Sequence, residues 1–163
     1  DLTGWNATSP DGTLVMNMLA AVASGSWGPI DMGRLHAAGF SSGGYMTSRL
    51  ARWQYSVFNS LSINAGAMYY CTGPDCMAAN DFLVPYFLDH PPTLFLQGSR
   101  DLIVPPWTQL AYYNNLKTNY SWVATKRVVA QGVGHQWIDA APSQILAWIQ
   151  KHDPLLGLVR RRR

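Results

Sequence analysis

The 163-residue chain contains no glutamate. All nine of its acidic residues are aspartates, so any carboxylate it uses in chemistry is an aspartate. Charged residues make up only 13% of the sequence, and no run of about eighteen apolar residues occurs, so no membrane span is expected. Cysteine is confined to Cys71 and Cys76, separated by Thr-Gly-Pro-Asp, a turn that can bring the pair within disulfide range. A local disulfide in a secreted protein is the favoured reading; two buried thiols, or half of a zinc site, are the alternatives, and the last lacks a nearby ligand pair at metal spacing. Neither an initiator Met nor a signal peptide precedes Asp1, which points to a mature form, a processed form or a fragment.

The net charge of +3 depends on Arg160, Arg161, Arg162 and Arg163. Without that tail, eight basic residues face nine acidic ones, a balance of −1, and no basic stripe remains, so no nucleic-acid partner is expected. Residues 160–163 read as a disordered basic tail. Residues 1–159, in a chain that is 48% hydrophobic, are expected to form one domain.

The most informative segment is Gly39-Phe40-Ser41-Ser42-Gly43-Gly44, a G-x-S-x-G pattern with an extra glycine. Leu35, Ala37, Ala38 and Phe40 before it read as a short buried parallel strand, while Met46, Leu50 and Trp53 after it fall at helical spacing. A serine on a sharp strand-to-helix turn is pushed out of the sheet, and Gly39 and Gly43 are expected to supply the room for that turn. Ser41 is therefore the candidate nucleophile, and the N–H of Ser42, opening the helix, the candidate oxyanion donor.

Around this turn the sequence alternates strands and helices. Ser9-Pro10 opens a helix that Gly25 closes, with Leu14, Val15, Met18, Leu19 and Val22 on its apolar face. A second strand passes through Leu61, Ile63 and Ala65, a third spans Thr93 to Gln97 and a fourth Thr125 to Ala130. Helices are expected from Pro106 to about Asn119 and from Pro142 to His152, the latter with Ile145, Leu146, Trp148 and Ile149 inward. The loop-rich stretch from Gly66 to Pro92 reads as a functional excursion or lid. The whole predicts an α/β fold, a parallel sheet with helices on both faces.

Ligands of such sheets meet the carboxyl ends of the strands. Asp101 follows the third strand there, in Gln97-Gly98-Ser99-Arg100-Asp101, and His135 follows the fourth, in Gly134-His135-Gln136-Trp137. His135 would take the Ser41 proton, with Asp101 fixing the imidazole, and the need for neutral imidazole predicts a rate that rises with pH near neutrality and then levels. The competing histidines are His36 inside the first strand, His90 beside a Pro-Pro turn, and His152; Asp139 lies too close to His135 to reach the far side of its ring.

With Gly39 to Gly44, Gly98-Ser99-Arg100-Asp101 with Val104-Pro105, and Gly134 to Trp137 in this order, the chain resembles the esterase and poly(3-hydroxyalkanoate) depolymerase family, relatives of feruloyl and acetylxylan esterases. The resemblance runs from about Ser9 to Ile149. It implies a secreted α/β-hydrolase whose triad is Ser41, Asp101 and His135, with no metal and no organic cofactor. Gln97 stands where that family usually has histidine. The family's N-terminal strands, with the loop supplying a second oxyanion N–H, would lie before Asp1, so an N-terminally truncated version is expected, with the strand ending at Phe40 left at an edge.

Phe40, Tyr69, Tyr70, Trp107 and Trp137 are the candidate substrate-binding aromatics. An extracellular ester hydrolase acting on a polyester or on short-chain or feruloyl esters is the expected function. A serine peptidase on the same fold and an inactive polymer-binding fragment are the rivals.

Overall fold

The computed structural model describes residues 10–53, 56–68 and 90–155. Its described elements are α1 (Pro10–Ala23), β1 (Leu35–Phe40), α2 (Ser42–Trp53), β2 (Phe58–Asn64), β3 (Thr93–Gly98), α3 (Pro106–Asn119), β4 (Thr125–Ala130) and α4 (Ala141–His152). Ser9, the two cysteines, Tyr69, Tyr70, most of the 66–92 stretch and the arginine tail lie outside the described residues. The strands form one parallel sheet in the order β1-β2-β3-β4. As expected of a parallel sheet covered on both faces, the central strands are buried along most of their length, and Leu61, Ile63, Leu94, Phe95 and Leu96 are fully buried.

Strand register assigns the faces. Gly39, Ile63 and Phe95 are side by side, and on their face Tyr112 and Leu116 of α3 complete a core cluster. A Cβ at Gly39 would lie 2.6 Å from Thr47 Oγ1, which puts α2 over that face as well. On the other face Leu94 and Leu96 pack with Ile138, Ala141 and Trp148 of the α4 region. Helices therefore cover both faces. Leu146 corrects the expected inward face of α4: it is 56% exposed, because Ala141, Ile145 and Trp148 set the stripe and Leu146 lies about 100° round the helix from Ile145.

The two sheet edges differ. On β4, Lys126 Nζ donates to Gln144 Oε1 on one face at 2.7 Å, and Arg127 reaches Pro106 O on the other at 3.4 Å, so charged side chains arch over the open edge. β1 carries no charged residue, pairs only with β2 among the described residues, and has no fully buried residue. Beside it, α1 behaves differently from its expected apolar face. Its end is as predicted, with Gly25 at φ 74°, Gly25 N–H donating to Val22 O and Ser26 N–H to Ala21 O. Its side chains, however, line an apolar cleft of about 400 Å³ against β1 and α2 instead of a closed core, and Leu14 and Met18 stay exposed.

At the start of β3, His90 is buried between Pro91 O, 2.8 Å from Nδ1, and the Tyr112 hydroxyl, 2.7 Å from Nε2. Burial lowers its pKa to about 4, and burial, Lys151 and His36 lower that of His152 likewise to about 4. Both are neutral in the folded chain and protonate more readily unfolded, so their contribution is complete above about pH 6.5 and is lost as pH falls towards 4. We expect urea unfolding at pH 5 to show stability lower than at pH 7.5 by about 2 kcal/mol from His90 alone. Equal midpoints at the two pH values would contradict this.

Candidate active site

Ser41 stands between β1 and α2 with φ 54°, a left-handed conformation unusual for a residue with a Cβ. Its N–H donates to Asn64 O of the neighbouring strand at 3.0 Å, and its carbonyl accepts from Tyr45 N–H as the first bond of α2. The turn is tight enough that a Cβ on Gly39 would stand 2.0 Å from Gly43 O. Gly43 itself faces open space, which corrects its expected role. The second glycine that the packing needs is Gly44, whose Cα would be 2.8 Å from a Cβ on Gly66 at the end of β2. Sharp turn, close glycines and held backbone together aim the Ser41 side chain outward. Ser42 is the first residue of α2, so its N–H has no acceptor within the helix.

The carboxyl ends of β3 and β4 bring the partners. His135 Nε2 lies 2.8 Å from Ser41 Oγ, and His135 Nδ1 lies 2.8 Å from Asp101 Oδ2. A carboxylate can only accept, so Nδ1 carries the proton and Nε2 is left to accept from the serine hydroxyl. Asp101 is 1% exposed and fully engaged: Oδ2 also accepts from Gln97 Nε2 at 3.0 Å, while Oδ1 accepts the N–H groups of Ile103 and Val104 at 3.0 and 2.9 Å. The loop carrying His135 is stitched to the loop carrying Asp101. Arg100 N–H donates to Val133 O, Ser99 N–H to Ala130 O, and Gly132 N–H to Ser99 Oγ. Gly98 makes that approach possible, since a Cβ there would meet Val133 O at 2.4 Å and Gly134 O at 2.5 Å.

Two buried glutamines complete the support and were not singled out as positioning groups by sequence. Gln97 binds both Asp101 and Val104 O, and Gln109 of α3 donates towards Gly66 O and Leu96 O, tying the ends of β2 and β3. For Gln97 the signal was a polar residue after apolar neighbours at the end of a strand; Gln109, within α3, carried none. Of the aromatics, Phe40 lies 4.9 Å from the His135 ring and stacks at 5.5 Å on Trp137, and Trp107 and Trp137 are each nearly half-exposed. The other histidines are elsewhere: His36 pairs with Ser60, His90 with Tyr112, and His152 packs on Trp148. Asp139 is exposed and has no part in the relay. Among the described residues no group of three or more His, Cys, Asp or Glu side chains is placed to hold a metal ion.

A parallel sheet with a serine elbow after one strand, then aspartate and histidine after two later ones, is the arrangement seen in α/β-hydrolases, and the chain has the α/β-hydrolase fold. An alpha/beta hydrolase from a Medee basin deep-sea metagenome superposes with TM-score 0.66 at 14% identity, covering 89% of this chain and 66% of that one. A PHB depolymerase solved with an R3HB trimer gives TM-score 0.55 at 21% identity, covering 66% of this chain and 41% of that one. In sequence, the chain is a homologue of the poly(3-hydroxyoctanoate) depolymerase of Pseudomonas fluorescens, 40% identical over 144 residues that make up 88% of this chain. It spans about half the length of that relative. No family model matches it.

Gly98→Ala tests the stitching of the two loops. The added methyl must displace the Val133 and Gly134 carbonyls and with them His135, so we expect a loss of stability of about 1–3 kcal/mol in chemical denaturation. Unchanged stability would show that the loops have more freedom than this geometry allows.

Proposed function

We propose that the chain is a serine-dependent carboxylic ester hydrolase acting on an aliphatic polyester or on short-chain esters, in an extracellular setting. The observation that carries this reading is the continuous relay from Ser41 Oγ through His135 to buried Asp101, both links at 2.8 Å. His135 Nε2 takes the hydroxyl proton as Ser41 Oγ attacks the ester carbonyl, and Asp101 stabilises the imidazolium. The Ser42 N–H, at the positive end of α2, faces the charge that develops on the carbonyl oxygen. His135 then protonates the departing alkoxide, leaving an acyl group on Ser41, and a water activated by the same imidazole releases the acid. The stack of Trp137 on Phe40 offers an apolar wall beside the imidazole for an alkyl or aryl group of the substrate.

The polyester side of the proposal draws on the depolymerase homologue, and the short-ester side on the solved esterases of like fold, an acetyl xylan esterase from Aspergillus awamori among them. A panel of p-nitrophenyl esters against peptide p-nitroanilides, with suspended poly(3-hydroxyoctanoate), tests it. We expect ester turnover and little anilide turnover. Ser41→Ala and His135→Ala should each lower kcat/KM by about a thousandfold or more, with folding intact by circular dichroism. Preferential cleavage of anilides would replace the esterase by a peptidase. Ester turnover unaffected by Ser41→Ala would overturn the mechanism.

A further inference from the structure

The cleft beside β1 is connected to the site. Val15, Leu19 and Val22 of α1 line its volume of about 400 Å³ from one side, and Met46 and Leu50 of α2 from the other. A smaller hollow of about 240 Å³, lined by Asp11, Leu14 and Ser42, shares Val15, Gly43 and Met46 with it. The two are therefore one channel, which runs along α1 and opens at Ser42, the residue after Ser41 and the oxyanion donor. No described residue lining the larger cleft carries a charge. Thr47 Oγ1 donates to Gly43 O and His36 Nδ1 is paired with Ser60, so the lining is mostly hydrocarbon. An apolar space of this size is a poor site for water and a good one for an apolar ligand.

We propose that this channel is an acyl-chain site, taking a linear alkyl chain of medium length from the carbonyl side of an ester bound at Ser41. This rests on the ester-hydrolase reading given above. An ester carbonyl that turns its oxygen to the Ser42 N–H brings its substituents to the residues where the channel opens. A chain of several methylenes then exchanges water for the aliphatic walls of α1 and α2, whereas an acetyl group is too short to gain much from them. Asp11 selects the form of the occupant. It is the one charged residue among those lining the mouth, and it repels the carboxylate of a free fatty acid while leaving a neutral ester unopposed. Ester enters and the released acid is driven out.

Binding and turnover are read separately. In the Ser41→Ala form, methyl octanoate is followed through Trp27, which lines the cleft and is 58% exposed, with Trp27→Phe to isolate its share of the emission. Methyl octanoate should shift that emission to the blue, and methyl acetate should not. In the Ser41 form, Val15→Trp puts an indole into the part common to both hollows, and Leu19→Trp fills the cleft further along. Both residues are only half-buried on α1, and circular dichroism confirms that the variants fold. Each should lower kcat/KM for p-nitrophenyl octanoate, relative to that for p-nitrophenyl acetate, by about tenfold or more. An octanoate-to-acetate ratio unaltered in both variants overturns the proposal, whether neither ester is affected or both equally. So does the absence of a Trp27 response to methyl octanoate. A dimer in sedimentation that Val15→Trp dissociates also overturns it, by placing a second copy in the cleft. A parent that turns over neither ester but shows the Trp27 response would sink the esterase reading alone.

Discussion

Four hydrogen bonds converge on the buried carboxylate of Asp101, and the arrangement of the site depends on them. One oxygen receives His135 Nδ1 and the Gln97 amide, the other the backbone of Ile103 and Val104. A buried charge without such partners would be strongly unfavourable, whereas with them it is an anchor shared by two loops and a strand end. Each donor serves a separate purpose. Gln97 binds the carboxylate to the β3 backbone, the two N–H groups fold the 101–104 turn, and His135 is held in the one tautomer that leaves Nε2 facing Ser41.

The second constraint is steric. Gly39 lets α2 close on β1, Gly44 and Gly66 let the start of α2 touch the end of β2, and Gly98 lets the His135 loop cross β3. These contacts hold Ser41 at φ 54° on one side and bring His135 towards it from the other. The sheet itself is asymmetric, because β4 guards its open edge with Lys126 and Arg127 while β1 has no charged side chain.

Much of this was legible in sequence. Period and turn residues located β1, α3 and β4 to within a residue, because Pro106 and the apolar alternation leave few choices, and the order Ser41, Asp101, His135 followed from loops that leave successive strands at one end. Less legible were contacts between segments remote in sequence. Gly43 looked like the packing glycine, yet Gly44 is the one against Gly66, since only the approach of β2 decides which face is crowded. Gln97 looked like a departure from a family pattern and proves to be a ligand of Asp101. Leu146 and the exposed face of α1 show the same limit, for an apolar stripe states what can be buried and the neighbouring elements decide what is.

The most direct measurement is covalent labelling of the folded chain with a fluorophosphonate, read by intact mass and peptide mapping beside Ser41→Ala and His135→Ala. The relay at 2.8 Å predicts one adduct per chain, on Ser41, absent in the first variant and much slower in the second. A folded chain that takes no label, or labels equally fast without His135, would contradict an activated serine.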